Sequence, residues 1–310
     1  MMQLTIIGLG NQAKSWALNL KDSGFPLRVA LRPHSKSIQS AKALGLEVVE
    51  IGSKEFYAAD FYALLTPDSS HQEFLSEHAP GFKQGAHFLY AHGFSVVTYE
   101  FEKKYPHLNH ILFAPKSIGT ELRNQYLIKG HLGAVYSLEH SSDTPPELEV
   151  WVKNLATALG ITMGPYKTTF KKETEADLFS EQGLLCSLIP YTAEKMFQHL
   201  IENGVEKELA YFECWHELKL IVNAMVEKGP LEFFELISPN ALVGAHKGHQ
   251  RLMKPEMIQN LKSLMTEIQD GTFNAELEAS HVEEIRGKTR QFWKNSDLQK
   301  THETLKREQK

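Results

Sequence analysis

Short apolar runs alternate with helix-like stretches through the first half of the chain. Leu4-Thr5-Ile6-Ile7 reads as a buried strand, Gly8-Leu9-Gly10 follows it, and a helical pattern runs on to Asp22. Leu27 to Leu31, Phe61 to Leu65, His87 to Ala91 and Ile111 to Ala114 are further apolar runs of strand length. Strands separated by helices predict a mostly parallel, doubly wound sheet with βαβ crossovers, an α/β domain over residues 1–168. The pattern changes near Thr168. Lys172 to Lys228 is rich in Glu, Leu, Ala and Lys, with a break at Gly204. Gly229-Pro230 and Ser238-Pro239 interrupt it, and a helical pattern returns from Pro255 to Gln269, ended by Asp270-Gly271. Residues 169–310 therefore read as an all-α domain. The last stretch, Gln299 to Lys310, is polar enough to be expected to fray.

Composition narrows the class without deciding the chemistry. The 310 residues are 42% hydrophobic and 23% charged, ordinary for a globular protein with room for two cores. A net charge of −5 argues against nucleic acid as the main partner. Cys186 and Cys214 form no CxxC pair and no zinc-ligand spacing, so a reducing compartment is the simpler expectation. The start, MMQLTIIGLG, lacks a basic segment before a long apolar one, and no apolar run approaches the roughly 20 residues of a membrane helix. A soluble, cytoplasmic protein with no membrane partner is expected.

Gly8-Leu9-Gly10-Asn11-Gln12-Ala13 follows the first strand and opens a helix, the arrangement of a Rossmann dinucleotide loop. There glycines permit a tight turn and let a pyrophosphate approach the backbone at a helix N-terminus. The second strand ends in Leu31-Arg32-Pro33-His34-Ser35-Lys36-Ser37. An NAD site usually places Asp or Glu here; Arg32, Ser35 and Ser37 suit the 2′-phosphate of NADP instead. The competing reading is a solvated basic turn with Ser35 capping the next helix. The cofactor contacts expected are Gly8, Gly10, Asn11, Gln12, Arg32, Ser35, Ser37 and Pro67.

Two helical stretches carry acidic pairs at one spacing, Asp177 with Glu181 and Glu213 with Glu217. Like charges at i and i+4 repel by a few tenths of a kcal/mol. Apolar neighbours (Leu178, Phe179, Leu184, Leu185; Tyr211, Phe212, Trp215, Leu218) suggest partial burial, which carboxylates tolerate only when neutralised. A hard divalent cation such as magnesium or manganese would do this. Lys171, Lys172 and Lys219 are alternative partners, and a solvated acidic helix face is the third outcome.

The stretches Lys172-Glu173-Thr174-Glu175-Ala176-Asp177-Leu178-Phe179-Ser180-Glu181-Gln182 and Tyr211-Phe212-Glu213-Cys214-Trp215-His216-Glu217-Leu218-Lys219-Leu220-Ile221 resemble the two metal motifs of ketol-acid reductoisomerases. Ala91-His92-Gly93-Phe94, Ala114-Pro115-Lys116, Leu185-Cys186 and Glu267-Ile268-Gln269-Asp270-Gly271 extend the resemblance, to the short bacterial type, over nearly the whole chain; beyond Phe273 it fades. The resemblance implies a Rossmann domain followed by a knotted helical domain, a homodimer with shared active sites, NADP(H) and two Mg2+ ions. Asp177 would bridge both ions and Glu181 bind one, with Glu213 and Glu217 completing the cluster from the partner subunit. His92, Lys116 and Glu217 would be the catalytic groups, and Cys186, Ile237, Ser238 and Ala241 would face the substrate. That substrate would be 2-acetolactate or 2-aceto-2-hydroxybutanoate, isomerised by alkyl migration and reduced to a 2,3-dihydroxy acid on the way to valine and isoleucine.

Two loops depart from the family pattern. Glycine, proline and glycine usually follow Lys116; here stand Ser117-Ile118-Gly119. Asn-Thr-Ala-Glu-Tyr-Gly usually follows Ser238; here stand Pro239-Asn240-Ala241-Leu242-Val243-Gly244. A paralogue reducing another 2-keto acid without efficient isomerisation, and a catalytically silent NADP-binding protein, are the alternatives these departures leave open.

Overall fold

A computed structural model of the chain describes residues 3–140 and 146–308. The chain divides into two compact units, Met1–Thr174 and Glu175–Lys310, with the division inside the helix Phe170–Ser180.

The first unit is built on one eight-stranded sheet. Its strands are β1 (Leu4–Ile7), β2 (Leu27–Leu31), β3 (Val48–Glu50), β4 (Phe61–Leu64), β5 (His87–Tyr90), β6 (Asn109–Pro115), β7 (Gly133–His140) and β8 (Met163–Lys167), in the order β3-β2-β1-β4-β5-β6-β7-β8. Every neighbouring pair is parallel except β6 with β7. The winding reverses between β1 and β4, which opens a crevice at the carboxyl ends of these strands.

β1, β4 and β6 are buried along their whole length, so they read as near-continuous apolar runs and not as alternations, broken by Thr5 in β1 and by Asn109-His110 at the start of β6. Consecutive residues of β4 anchor the two faces of the sheet. Phe61 stacks on Trp151 with ring centroids 3.9 Å apart, while Tyr62 stacks on Phe88 at 4.9 Å in the opposite core. The helix Asn11–Asp22 lays Ala13, Trp16, Ala17 and Leu20 onto the first core, an i, i+3, i+4, i+7 stripe.

Three strands were not among the expected apolar runs. β3 has three residues on one sheet edge; β7 includes Gly133 and the polar Ser137 and Glu139; β8 is an exposed edge interrupted by Gly164-Pro165.

The second unit is all helical, as expected. A helix spans Pro255–Gln269, the predicted range. Gly229-Pro230 interrupts the helical run as expected: Gly229, at φ 72° and ψ 167°, is not helical, and the stretch Glu217–Leu236 is two helices meeting at a kink there. Ser238 caps the next helix, Pro239–Leu252, by accepting the Ala241 N–H at 3.2 Å, and Pro239 occupies the first helical position, where its missing N–H costs nothing.

The expected fraying of the tail is overturned. Asp297–Glu308 is a helix that buries Leu298 and Thr301; Tyr211 Oη and His302 Nδ1 meet at 2.8 Å, and Lys207 Nζ reaches Asp297 at 3.0 Å. Its polar composition hides a one-sided stripe that suffices for docking. Gln309 and Lys310 lie outside the described residues. Among the described residues no helix is long and apolar enough to cross a membrane.

Candidate functional site

A cavity of about 560 Å³ occupies the crevice at the ends of β1, β2 and β4. Gly8, Gly10, Arg32, Ser35, Ser37 and Pro67 line it, six of the eight residues expected from sequence. Gly8 has φ +93°, and a Cβ there would stand 3.0 Å from the Thr66 methyl, so backbone and space both require glycine. A Cβ on Gly10 would meet nothing within 4 Å. Gly10 therefore presents open backbone at the N-terminus of the Asn11–Asp22 helix, which has no side-chain cap. That is a cradle for pyrophosphate.

Arg32 directly follows β2, and His34 at φ 59° turns the chain so that Ser35 and Ser37 face the same cavity. Ser35 Oγ also accepts the Ser37 N–H at 3.3 Å in the turn that enters the helix Ser37–Ala43, whose N-cap is Lys36. One guanidinium and two hydroxyls around one space fit a phosphorylated ribose. Ile51, Thr66, Ser70, Glu73, Phe74, Glu77 and His78 are among the further lining residues that were not expected. Their signal was positional: Thr66-Pro67 leaves β4 across the winding reversal from the glycine loop. Asn11 and Gln12 are absent from the wall. Asn11 Oδ1 accepts from Thr120 Oγ1 at 3.1 Å, and Gln12 Nε2 donates to the Ser117 carbonyl at 2.8 Å.

His92 and Lys116, from the ends of β5 and β6, converge on a group the site expectation omitted. Glu173, on the first turn of the Phe170–Ser180 helix, is only 3% exposed. One carboxylate oxygen accepts from His92 Nδ1 at 3.1 Å and from the Gly93 N–H at 2.8 Å; the other accepts from Lys116 Nζ at 2.5 Å. Burial works to raise the Glu173 pKa, but the hydrogen bond and charge of His92, then those of Lys116, outweigh it and hold the carboxyl below its usual range. A Cβ on Gly93 would lie 2.6 Å from Thr174 Oγ1 and 2.7 Å from the Phe170 carbonyl, so only glycine lets this loop pack on the helix. Glu173 was visible only as the residue one turn before Asp177. The result is a buried anion that orients two proton-bearing side chains.

The two acidic pairs share an uncommon backbone. Glu181 opens a π-helical turn, Glu181–Leu185, and Glu213 lies in a second, Phe212–His216, with Glu217 immediately after. π turns inside α-helices are rare and often mark functional positions. Asp177 is half-buried, but Glu181, Glu213 and Glu217 are exposed, which corrects the expectation that both pairs are partly buried. The apolar neighbours divide: Leu178 and Tyr211 are buried, whereas Leu184, Leu185 and Phe212, with Leu220 beyond them, are about half exposed. Cys186, also exposed, has its thiol pushed up by its surroundings and by the negative charges of Glu181 and Asp177.

Ser238, Pro239 and Ala241 are exposed, and Ile237 is half-buried. Among the described residues, the four metal-motif carboxylates do not gather into one cluster within a single copy. The helices Glu217–Leu236 and Pro239–Leu252 bury no residue at all, and expose Val226, Leu231, Leu236, Val243 and Leu252. An all-oxygen donor set suits a hard cation.

Residues 2–165 match the family described as "Acetohydroxy acid isomeroreductase, NADPH-binding domain", and residues 170–310 match "Ketol-acid reductoisomerase, C-terminal domain". A ketol-acid reductoisomerase (NADP(+)) of Xanthomonas campestris pv. campestris is 36% identical over 298 residues, 96% of this chain and 88% of that one. Its namesake in Xylella fastidiosa is 36% identical over 274 residues, 88% of this chain and 77% of its own. The solved structure of an NADH-preferring ketol-acid reductoisomerase from an uncultured archean is similar at a TM-score of 0.87 and 27% identity, covering 99% of this chain and 94% of that one.

Proposed function

The chain belongs to the ketol-acid reductoisomerase family, and on that footing we propose how its residues divide the work of isomeroreduction. It is an NADP-dependent oxidoreductase of branched-chain amino acid biosynthesis. The substrate is 2-acetolactate or its ethyl homologue, and the product is the 2,3-dihydroxy-3-alkyl acid.

The glycine loop receives the pyrophosphate, and Arg32, Ser35 and Ser37 receive the 2′-phosphate. Bound NADPH would supply the hydride, and two magnesium ions, when bound, would supply Lewis acidity. Asp177 and Glu181 of one copy, with Glu213 and Glu217 of a second, are the residues that would hold those ions. The two helices without a buried residue support this homodimer, since a second copy is what covers their apolar side chains. Glu217 takes the proton of the C2 hydroxyl, and the alkyl group then moves from C2 to C3. The proton held by Glu217 returns to the oxygen on C3. Lys116 and His92, oriented by Glu173, hold negative charge on the substrate oxygens and pass a second proton, drawn from solvent, to the C2 oxygen once hydride from NADPH has reduced the new C2 ketone.

The Glu173 cluster carries this reading. A buried ionised carboxylate beneath a lysine and a histidine at the strand ends has a use in proton handling that structure alone does not require. The test is a coupled assay with 2-acetolactate, NADPH and Mg2+. Turnover that vanishes without the metal is expected; a metal-independent rate would overturn the assignment.

A second reading is favoured by Ser238, whose Oγ already serves as a helix cap. Reduction of the pre-rearranged acid 3-hydroxy-3-methyl-2-oxobutanoate then outpaces the full reaction. Equal rates for the two substrates in one preparation dismiss it.

A further inference from the structure

Gln12 stands in the dinucleotide loop, yet its side chain is committed elsewhere. Nε2 donates to the Ser117 carbonyl at 2.8 Å across 105 residues of sequence. This contact fixes the amide, because Oε1 in that place would face another acceptor. Oε1 is buried with no hydrogen-bond partner among the described residues, and an acceptor offers nothing to a pyrophosphate. Asn11 makes a parallel contact, Oδ1 accepting from Thr120 Oγ1 at 3.1 Å. Between them lies Gly119, where a Cβ would sit 2.4 Å from the Asn11 carbonyl oxygen and 2.7 Å from the Gln12 nitrogen. Residues 11–12 and 117–120 are thus joined by two hydrogen bonds and one backbone contact without slack.

Lys116 is the residue this junction holds. Its N–H donates to the Gly133 carbonyl at 2.9 Å on β7, and the Ser117 N–H donates back to the Pro115 carbonyl at 2.9 Å. The Lys116 backbone is therefore clamped between β7 on one side and the first turn of the dinucleotide helix on the other. The same geometry accounts for the unusual loop. Ser117 contributes its carbonyl, which any residue has; Ile118 is 72% exposed; and Gly119, the one family glycine retained, is the position with no room for a Cβ.

We propose that Gln12 is a positioning residue for Lys116. It locks the Lys116 loop to the pyrophosphate-binding helix, so that the ammonium group and the bound cofactor share one frame, and it adds little to cofactor affinity itself. The proposal rests on the assignment of Lys116 to the reaction. A displacement of about 1 Å at such a group can cost on the order of a hundredfold in rate.

The experiment uses Gln12→Met, which keeps length but loses the donor, with Gln12→Asn as the second variant should the first not fold. NADPH affinity is measured by fluorescence titration, kcat with 2-acetolactate, and both again in a Lys116→Arg background. Expected are a Kd for NADPH within about threefold of wild type and a kcat lower by about tenfold or more. In the Lys116→Arg background the same substitution should cost less than about twofold, since residues acting as a unit are not additive. Backbone amide exchange of residues 116–122 should accelerate in the variant, a readout independent of turnover.

Loss of NADPH affinity in proportion to kcat/KM would make Gln12 a cofactor ligand and overturn the proposal. An equal cost in both backgrounds, or unchanged exchange, would overturn it too. A wild type that does not turn over 2-acetolactate sinks the site assignment instead, and the exchange arm still decides the clamp.

Discussion

The Glu173 carboxylate accepts the Gly93 backbone N–H at 2.8 Å, at a position where a Cβ has no room. The charge on one helix is thereby built into the turn that carries His92. Glu173→Gln keeps the volume but puts an NH2 where only donors point. It should lower kcat by about a hundredfold or more, within the range of general acid–base contributions. It should also destabilise the fold by about 1–3 kcal/mol at neutral pH. Because the Glu173 pKa is depressed in the folded state, its stabilisation is present above the ordinary carboxylate pKa and lost as pH falls through the lower folded value. The wild-type advantage in urea titrations should therefore shrink below pH 4.5. A gap that stays constant down to pH 3 would show that the ionised form contributes nothing.

His110 makes a separate pH prediction. Burial, the largest cause, lowers its pKa to about 4 from the ordinary 6.5, and Nδ1 meets Tyr90 Oη at 3.0 Å. The fold prefers the neutral ring, so this stabilisation is complete above pH 6.5 and declines as pH falls from 6.5 to about 4. The shift corresponds to roughly 3 kcal/mol. His110→Gln should flatten the stability profile across that window, read by thermal or urea unfolding. Parallel profiles for the two proteins would contradict it.

For the cofactor, Arg32, Ser35 and Ser37 predict NADPH binding at least about tenfold tighter than NADH, the equivalent of one or two charge-assisted hydrogen bonds. Ser37→Asp places a carboxylate against the phosphate and should erode that ratio by weakening NADPH alone. The relative described as NADH-preferring makes the measurement informative, because the shared fold does not dictate the choice. Equal dissociation constants for the two cofactors in the wild type would show that the Arg32 loop points elsewhere.

Sharing of the site between copies can be read by mixing. Glu181→Gln and Glu213→Gln should each abolish turnover while leaving NADPH affinity nearly unchanged. Co-refolded together, a mixed dimer would carry one doubly altered site and one intact site, so activity should return to about a quarter of wild type for random pairing. No recovery from a mixture shown to contain mixed dimers would place all four carboxylates in one copy's site.

How far the sequence disclosed these features followed from burial. β1, β2 and the Asn11–Asp22 helix were legible to the residue, because strands inside a parallel sheet and a helix packed along one stripe leave strong periodicities. β7 and β8 lacked that signal, one mixed with polar residues and the other an exposed edge. The docked tail helix was masked by its charge. At the site, glycines and the basic turn marked the cofactor cavity, and the resemblance marked the acidic pairs. Glu173 was missed because a buried carboxylate and an exposed one are spelled alike. What distinguishes it is the convergence of His92, Gly93 and Lys116 from positions 57 to 81 residues away.

The two π turns bear on how this chain tolerates change in length. Each acidic motif contains one residue more than a continuous α-helix would accommodate, held as a bulge at Glu181–Leu185 and at Phe212–His216. Removing a single residue from either bulge would let the helix run through without interruption. The bulge absorbs the extra residue, so the helix beyond it would keep its phase, while the directions of the side chains within the bulge would be reset. In the second motif Glu217 would stand three residues after Glu213 in place of four, still on one face but with a changed offset between the two carboxylates. One-residue deletions here should be silent for helix content and damaging for metal affinity, whereas the same deletion in the Ser280–His281 linker leaves both motifs as they are.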